Sequence, residues 1–216
     1  MTRGCTVGLM LASSLILWAL SPGSSFALES TWLVDNAVLM AGEEIEAKTS
    51  ATPITFADIK GGIFSEEVEL LCNSTYKGTI GPGKADRTTE VLFKECETKK
   101  GLCGEPEAAP VNLPWLTNIE LIGNEYYDDV ITTQGTKNVG YKIICDKVTE
   151  DTCELPLTRP LLYNTVFNEI GVEYDSNNVN QPKFNCTRGG ASTGRVNGIY
   201  FIPSTKSGLA VAVGEG

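Results

Sequence analysis

Apolar and polar residues alternate along much of this chain at a period of two, the spacing that sends successive side chains to opposite faces of a β-strand. Val68, Leu70, Cys72, Ser74 and Tyr76 share one phase, while Glu67, Glu69, Asn73, Thr75 and Lys77 fall mostly on the other, which predicts a half-buried strand with Cys72 facing inward. Trp115, Thr117, Ile119 and Leu121 alternate likewise. Gly123 and Asn124 then offer a two-residue turn and Tyr126 opens an apolar return, so a hairpin is predicted there. Tyr141, Ile143 and Cys145 form another inward row, Val166, Asn168, Ile170, Val172 and Tyr174 a weaker one, and Phe184 with Cys186 a short one. Gly198 to Ile202 and Leu209 to Val213 end the chain as strands separated by Pro203, Ser204 and Gly208. No stretch repeats apolar residues convincingly at helical spacing, and 22 glycines and 10 prolines interrupt the chain at short intervals. The expectation is an all-β, antiparallel sandwich or barrel, two architectures that produce the same pattern of short alternating strands.

The N-terminus departs from this pattern. Arg3 precedes an almost continuous apolar run from Val7 to Leu20, followed by Ser21, Pro22 and Gly23 and by the small residues Ser25 and Ala27. That order predicts a secretory signal peptide over residues 1–27 and a single β-rich extracellular domain over 28–216. The run is shorter than the roughly 20 residues a membrane-spanning helix needs, and no later segment is longer, so no membrane span is expected in the mature chain. The 27 acidic residues outnumber the 17 basic ones, giving a net charge of -10. Loss of Arg3 makes the mature chain one unit more negative. Affinity for nucleic acid comes from Lys and Arg neutralising phosphates, so nucleic acid is excluded as a partner.

Cys5 leaves with the signal, and six cysteines remain: Cys72, Cys96, Cys103, Cys145, Cys153 and Cys186. An even number in an exported chain predicts three disulfides out of 15 possible connectivities. Proximity along the sequence favours Cys96 with Cys103 and Cys145 with Cys153, each closing a short polar loop, and leaves Cys72 to join Cys186. The long link would then contribute most to stability. Zinc fits poorly: the short cysteine pairs of zinc sites are missing and the chain has no histidine. No cofactor is expected.

Candidate chemistry is sparse. Gly78, Gly81, Gly83 and Lys84 approach a phosphate-binding loop, but Ala85 replaces its hydroxyl residue and Pro82 removes an amide, so a glycine-rich turn is expected. Glu173, Asp175, Asn177, Asn178 and Asn180 offer oxygen ligands for calcium without matching an EF-hand, because Val179 and Asn180 occupy positions that need a ligand and a glycine. Histidine-dependent relays are impossible, and paired cysteines leave no thiolate nucleophile. Glu120, Glu125, Asp128 and Asp129 are the candidate acids for glycoside hydrolysis, against the plainer reading of a solvated face. Asn73 and Asn185 begin glycosylation triplets, taken as incidental. Trp32, Trp115, Tyr126 and Tyr127 are aromatics for either a core or an interface.

Trp32, Leu33 and Val34, the run from Leu71 and Cys72 to Gly83, Leu113 to Trp115, Asp151 to Cys153, and Cys186 before Gly189 and Gly190 together resemble a group of uncharacterised secreted bacterial proteins. The resemblance implies export and a β-rich fold, and no activity or site. The functional expectation is a non-catalytic secreted or envelope-associated domain that binds a protein or a glycan. The alternatives are a carboxylate-dependent carbohydrate-active enzyme and a structural envelope component assembling through exposed sheet edges.

Overall fold

The structure, a computed structural model, describes residues 29–49, 52–59, 66–132, 136–186 and 192–215. The predicted leader, residues 1–27, lies outside them. The chain begins with β1 (Ser30–Val34), β2 (Ala37–Val38), β3 (Glu43–Thr49) and β4 (Ile54–Ile59). Two long strands follow, β5 (Val68–Ile80) and β6 (Ala85–Lys100), then β7 (Pro106–Val111), β8 (Trp115–Ile122), β9 (Glu125–Asp128) and β10 (Ile131–Thr132). The second half comprises β11 (Val139–Cys145), β12 (Thr149–Leu155), β13 (Leu161–Asn164), β14 (Ile170–Tyr174), β15 (Phe184–Cys186), β16 (Ser192–Ile202) and β17 (Val211–Glu215). Every strand pairing is antiparallel, and the fold is all-β and sandwich-like.

The large sheet runs β14-β13-β9-β8-β6-β5-β3-β16-β15-β12-β11-β7, and an additional β14–β16 pairing turns its first part into a closed ring. β16 makes this possible by changing partners midway. On one edge Ser192 to Gly194 pair with β15 and Gly198 to Ile202 with β14; on the other Thr193 to Asn197 pair with β4, and Tyr200 and Phe201 with β3. The switch falls at Gly198, at φ 143°, where an added Cβ would lie 3.0 Å from the Cα of Ile54. Beyond the ring, β15, β12, β11 and β7 continue the sheet until β7 lies beside the far half of β6. A separate three-stranded sheet, β17-β1-β2, joins the two ends of the described chain and packs against β8, β13 and β14 of the ring.

The predicted inward rows account for much of the interior. Val68, Leu70, Cys72, Ser74 and Tyr76 are all buried and alternate with less buried residues along β5. The β8–β9 hairpin turns at Gly123, whose φ of 68° suits a tight hairpin turn, and Tyr141, Ile143 and Cys145 face inward from β11. Tyr76 stacks on Tyr200 at 4.2 Å, and Phe56 packs between Phe93 and Tyr141 at 4.6 and 5.1 Å. The weaker row is partly wrong. Ile170, Val172 and Tyr174 are buried in β14, but Val166 and Asn168 sit in the preceding turn, where Asn168 has a φ of 59° and Val166 is exposed.

Three disulfides form, as expected, but with different partners: Cys72–Cys96, Cys103–Cys145 and Cys153–Cys186. Strand register decides this. Cys145 and Cys153 do lie on one hairpin, but Cys153 stands opposite Tyr141, four residues from Cys145 along the strand, about 13 Å at ~3.3 Å per residue and too far for a disulfide. Cys153 is instead the register partner of Cys186. Cys72 lies on β5, separated from β15 by two strands, and meets Cys96 across the β5–β6 pair, where a bulge shifts the register between Leu71 and Asn73. Cys103 precedes β7, whose Pro106 is opposite Cys145, and so ties the Gly101–Pro110 stretch to β11. Three disulfides suit an oxidising, extracytoplasmic compartment.

Candidate functional site

An open groove of about 890 Å³ lies on the outer face of β3, β5 and β6. Its floor follows from one glycine. At Gly78 an added Cβ would meet the Arg87 carbonyl at 2.0 Å, so only glycine lets β5 and β6 approach this closely, and the register shifts between Lys77 and Gly78. Alternation on β3 turns Glu44, Glu46 and Lys48 outward while Ala47 is buried. Ile45, Phe201 and Pro203 supply apolar surface, and Lys77, Glu90 and Lys206 complete a wall of mixed charge.

The charges are paired across that wall. Lys48 bonds Glu46 at 2.9 Å, Lys77 bonds Glu90 at 2.8 Å, and Lys206 bonds Glu44. The Lys206 and Lys48 ammonium groups, by hydrogen bond and charge, hold the Glu44 and Glu46 carboxyls below the usual carboxylate range. Glu90 raises the Lys77 ammonium in the same manner. These groups stay ionised near neutrality, which suits recognition of a polar ligand more than proton donation.

The four acids singled out in the sequence separate. Arg159 bonds Asp129 through Nε at 2.6 Å and Nη2 at 3.0 Å, and reaches Glu120 at 3.2 Å. Glu120 is raised by its hydrogen bond to Asp129, then by burial and by the charge on Asp129. Carboxyls in hydrogen-bonding contact are closer than the roughly 5 to 9.5 Å that glycosidic chemistry requires. Glu125 accepts a hydrogen bond from the Tyr127 hydroxyl at 2.7 Å. Asp128 points the opposite way from Asp129, into the ring, and is only 6 % exposed.

Inside the ring, Asp128 joins an acid the sequence did not single out. Asp86 on β6 is in register with Thr117 on β8, and Asp128 on β9 is in register with Ile119, which puts Asp86, Thr117 and Asp128 on one inward-facing patch. Burial raises Asp86 well above the usual range, the Asp128 charge adds to this, and the nearby Trp32 indole opposes it. Burial likewise pushes Asp128 up to about 7, against the opposing effect of the nearby Thr117 hydroxyl. The cavity they border with Trp32, Tyr200 and Leu162 measures about 20 Å³, room for one water and not for a sugar.

The remaining motifs are structural where described. Gly81 and Gly83 form the β5–β6 turn at positive φ. Asp175 receives the backbone N–H of Asn177, and the amides of Asn178 and Asn180 donate to the Tyr127 hydroxyl. Among the described residues no group of three or more acids, cysteines or histidines is placed to hold a metal ion. Asn73 lies within β5 and donates to Glu95 at 2.6 Å. Trp32, Trp115 and Tyr127 are core residues, and Tyr126 is half-buried against them.

Comparison adds no relative. No protein-family model, no curated protein and no solved structure matches this chain.

Proposed function

We propose that the protein is a non-catalytic secreted or envelope-associated β-domain that holds an extended segment of a partner protein in the β3–β5–β6 groove. The observation that carries this reading is the groove itself: about 890 Å³, open, floored by Ile45, Phe201 and Pro203, and walled by lysine–glutamate pairs. Such a wall presents both signs of charge at close spacing, which matches a polypeptide of mixed charge better than a uniformly charged polymer. Export is part of the proposal and rests on the predicted leader and the three disulfides.

The test is a peptide array and a glycan array probed with the purified protein and with a Lys77→Glu, Lys206→Glu double variant. Peptide binding that weakens at least tenfold in the double variant, with an unchanged far-ultraviolet spectrum, supports the reading. Binding to glycans alone makes the occupant a glycan. Glycan hydrolysis abolished by Glu120→Gln or Asp129→Asn would replace it with the carboxylate-dependent enzyme.

A further inference from the structure

The ring interior contains two carboxyl groups with no cation paired to either among the described residues, and a plug made from a separate sheet. Asp86 and Asp128 are faced by Thr117 from β8, Tyr76 from β5, Tyr174 from β14, Tyr200 from β16 and the Trp32 indole from β1. Asp129 adds negative charge from the neighbouring position, offset by the Arg159 guanidinium it bonds. Lys77 and Arg87 border the cavity, but Lys77 spends its ammonium on Glu90 and Arg87 is exposed. Asp128 Oδ1 has no hydrogen-bond partner among the described residues. An ionised carboxylate in such a place is costly, and the cost disappears when the acid is neutral.

Trp32, 1 % exposed, is the side chain that closes this space, and it belongs to the three-stranded β17-β1-β2 sheet rather than to the ring. Few polar links tie that sheet down. The Trp32 N–H donates to the Gly83 carbonyl at 3.0 Å, the Gly83 N–H donates to the Leu39 carbonyl at 3.4 Å, and Asn164 holds Val213. Trp32, Val34, Val211 and Val213 supply the apolar contact. No strand of this sheet takes part in the ring's own pairings, although its apolar side chains share the ring's core.

We propose that the β17-β1-β2 sheet is a pH-gated lid, closed over Asp86 and Asp128 while the pair is neutral and lifted when the pair carries charge. The sign follows from linkage. A group whose closed-state pKa is raised favours closure at low pH and loses that contribution as pH climbs through the raised value, here about 7 for Asp128. The closed-to-open ratio falls about tenfold per pH unit for each proton released between the ordinary carboxyl value of 3.8 and the raised value, and is level above it. Lifting the lid would admit water to the two carboxylates and expose the face that Trp32 covers.

Hydrogen exchange of the purified protein at pH 5.5 and 8.5, with labelling times scaled to the intrinsic exchange rates, tests this directly. Protection of amides in β1 and β17 is expected to fall at least tenfold at pH 8.5, while β5 and β6 amides keep theirs. In an Asp86→Asn, Asp128→Asn double variant the lid amides should stay protected at both pH values. Equal protection of the wild-type lid at both pH values would overturn the proposal, and so would a uniform loss across all strands, which is global destabilisation. The same loss in the double variant would also overturn it. If that variant does not fold, the regional contrast within the wild type alone decides.

Discussion

A single step of strand alternation separates Asp128 from Asp129, and it sends one carboxyl into the ring and the other out to Arg159. The sequence contains this alternation but not which face is interior, because a run of acids reads as solvated whichever way it points. Asp86 is harder still. Its row on β6 continues through Thr88 and Glu90, all polar, so nothing in the local pattern marks one of them as enclosed. Glycines show the opposite case, in which a residue's role follows from contact. A Cβ on Gly140 would meet the Cys153 carbonyl oxygen at 2.0 Å and the Cα of Glu154 at 2.9 Å, so β11 and β12 cannot keep their spacing around any side chain there. Gly140→Ala should cost about 1 to 3 kcal/mol, the range for forcing extra volume into packed structure. Chemical denaturation would show it as a lower midpoint with an unchanged slope.

At the scale of elements, regular two-residue alternation was the legible signal wherever a strand has one wet and one dry face. β5, β8 and β11 are of that kind, and their inward rows are the buried ones except for Leu121, which is exposed at the end of β8. The β13–β14 hairpin misled because Val166 continues the alternating phase of Ile170 through a turn, where it is exposed. β3 carries its own alternation of Glu44, Glu46 and Lys48 against Ile45 and Ala47, a signal sufficient to mark the strand that builds the groove. Edges explain why open-ended strand addition is the weaker functional alternative. The terminal strand β7 holds Pro106 and Pro110, neither of which can donate to a new neighbour. β17 is occupied instead by a side chain: Asn164 donates to the Val213 carbonyl at 2.8 Å and accepts from its N–H at 2.9 Å, as another strand would. Asn164→Ala removes both bonds, at about 1 kcal/mol each. The expected result is faster exchange of β17 amides at every pH, which separates this clamp from the pH-dependent behaviour of the lid.

For the whole molecule, the number of disulfides was legible and their pairing was not. Parity in a chain read as exported is a local count, whereas pairing depends on which strands become neighbours and in what register, and neighbours here are far apart in sequence. The same registers also predict which bridge matters most. Sequence separations are 24 for Cys72–Cys96, 42 for Cys103–Cys145 and 33 for Cys153–Cys186. Chain entropy converts loops of this size into about 3.5 to 4 kcal/mol, with only about 0.5 kcal/mol between the extremes. Packing is the larger discriminator. Cys153 and Cys186 are both buried, and the Gly194 backbone lies so close that a Cβ there would be 2.9 Å from the Cys186 sulfur. Cys103 and Cys145 are buried as well, but Cys103 sits in the turn before β7 next to exposed Leu102, where neighbours can close over a smaller side chain. Replacing both cysteines of a bridge with alanine therefore removes a similar entropic term in each case, but it opens a void at Cys153–Cys186, where cavity costs add to the loss. The Cys153→Ala, Cys186→Ala variant should be less stable in denaturant than the Cys103→Ala, Cys145→Ala variant, although its bridge closes the shorter loop. The reverse order would mean that loop length, and not the packing of the bridge against β16, governs how these disulfides stabilise the fold.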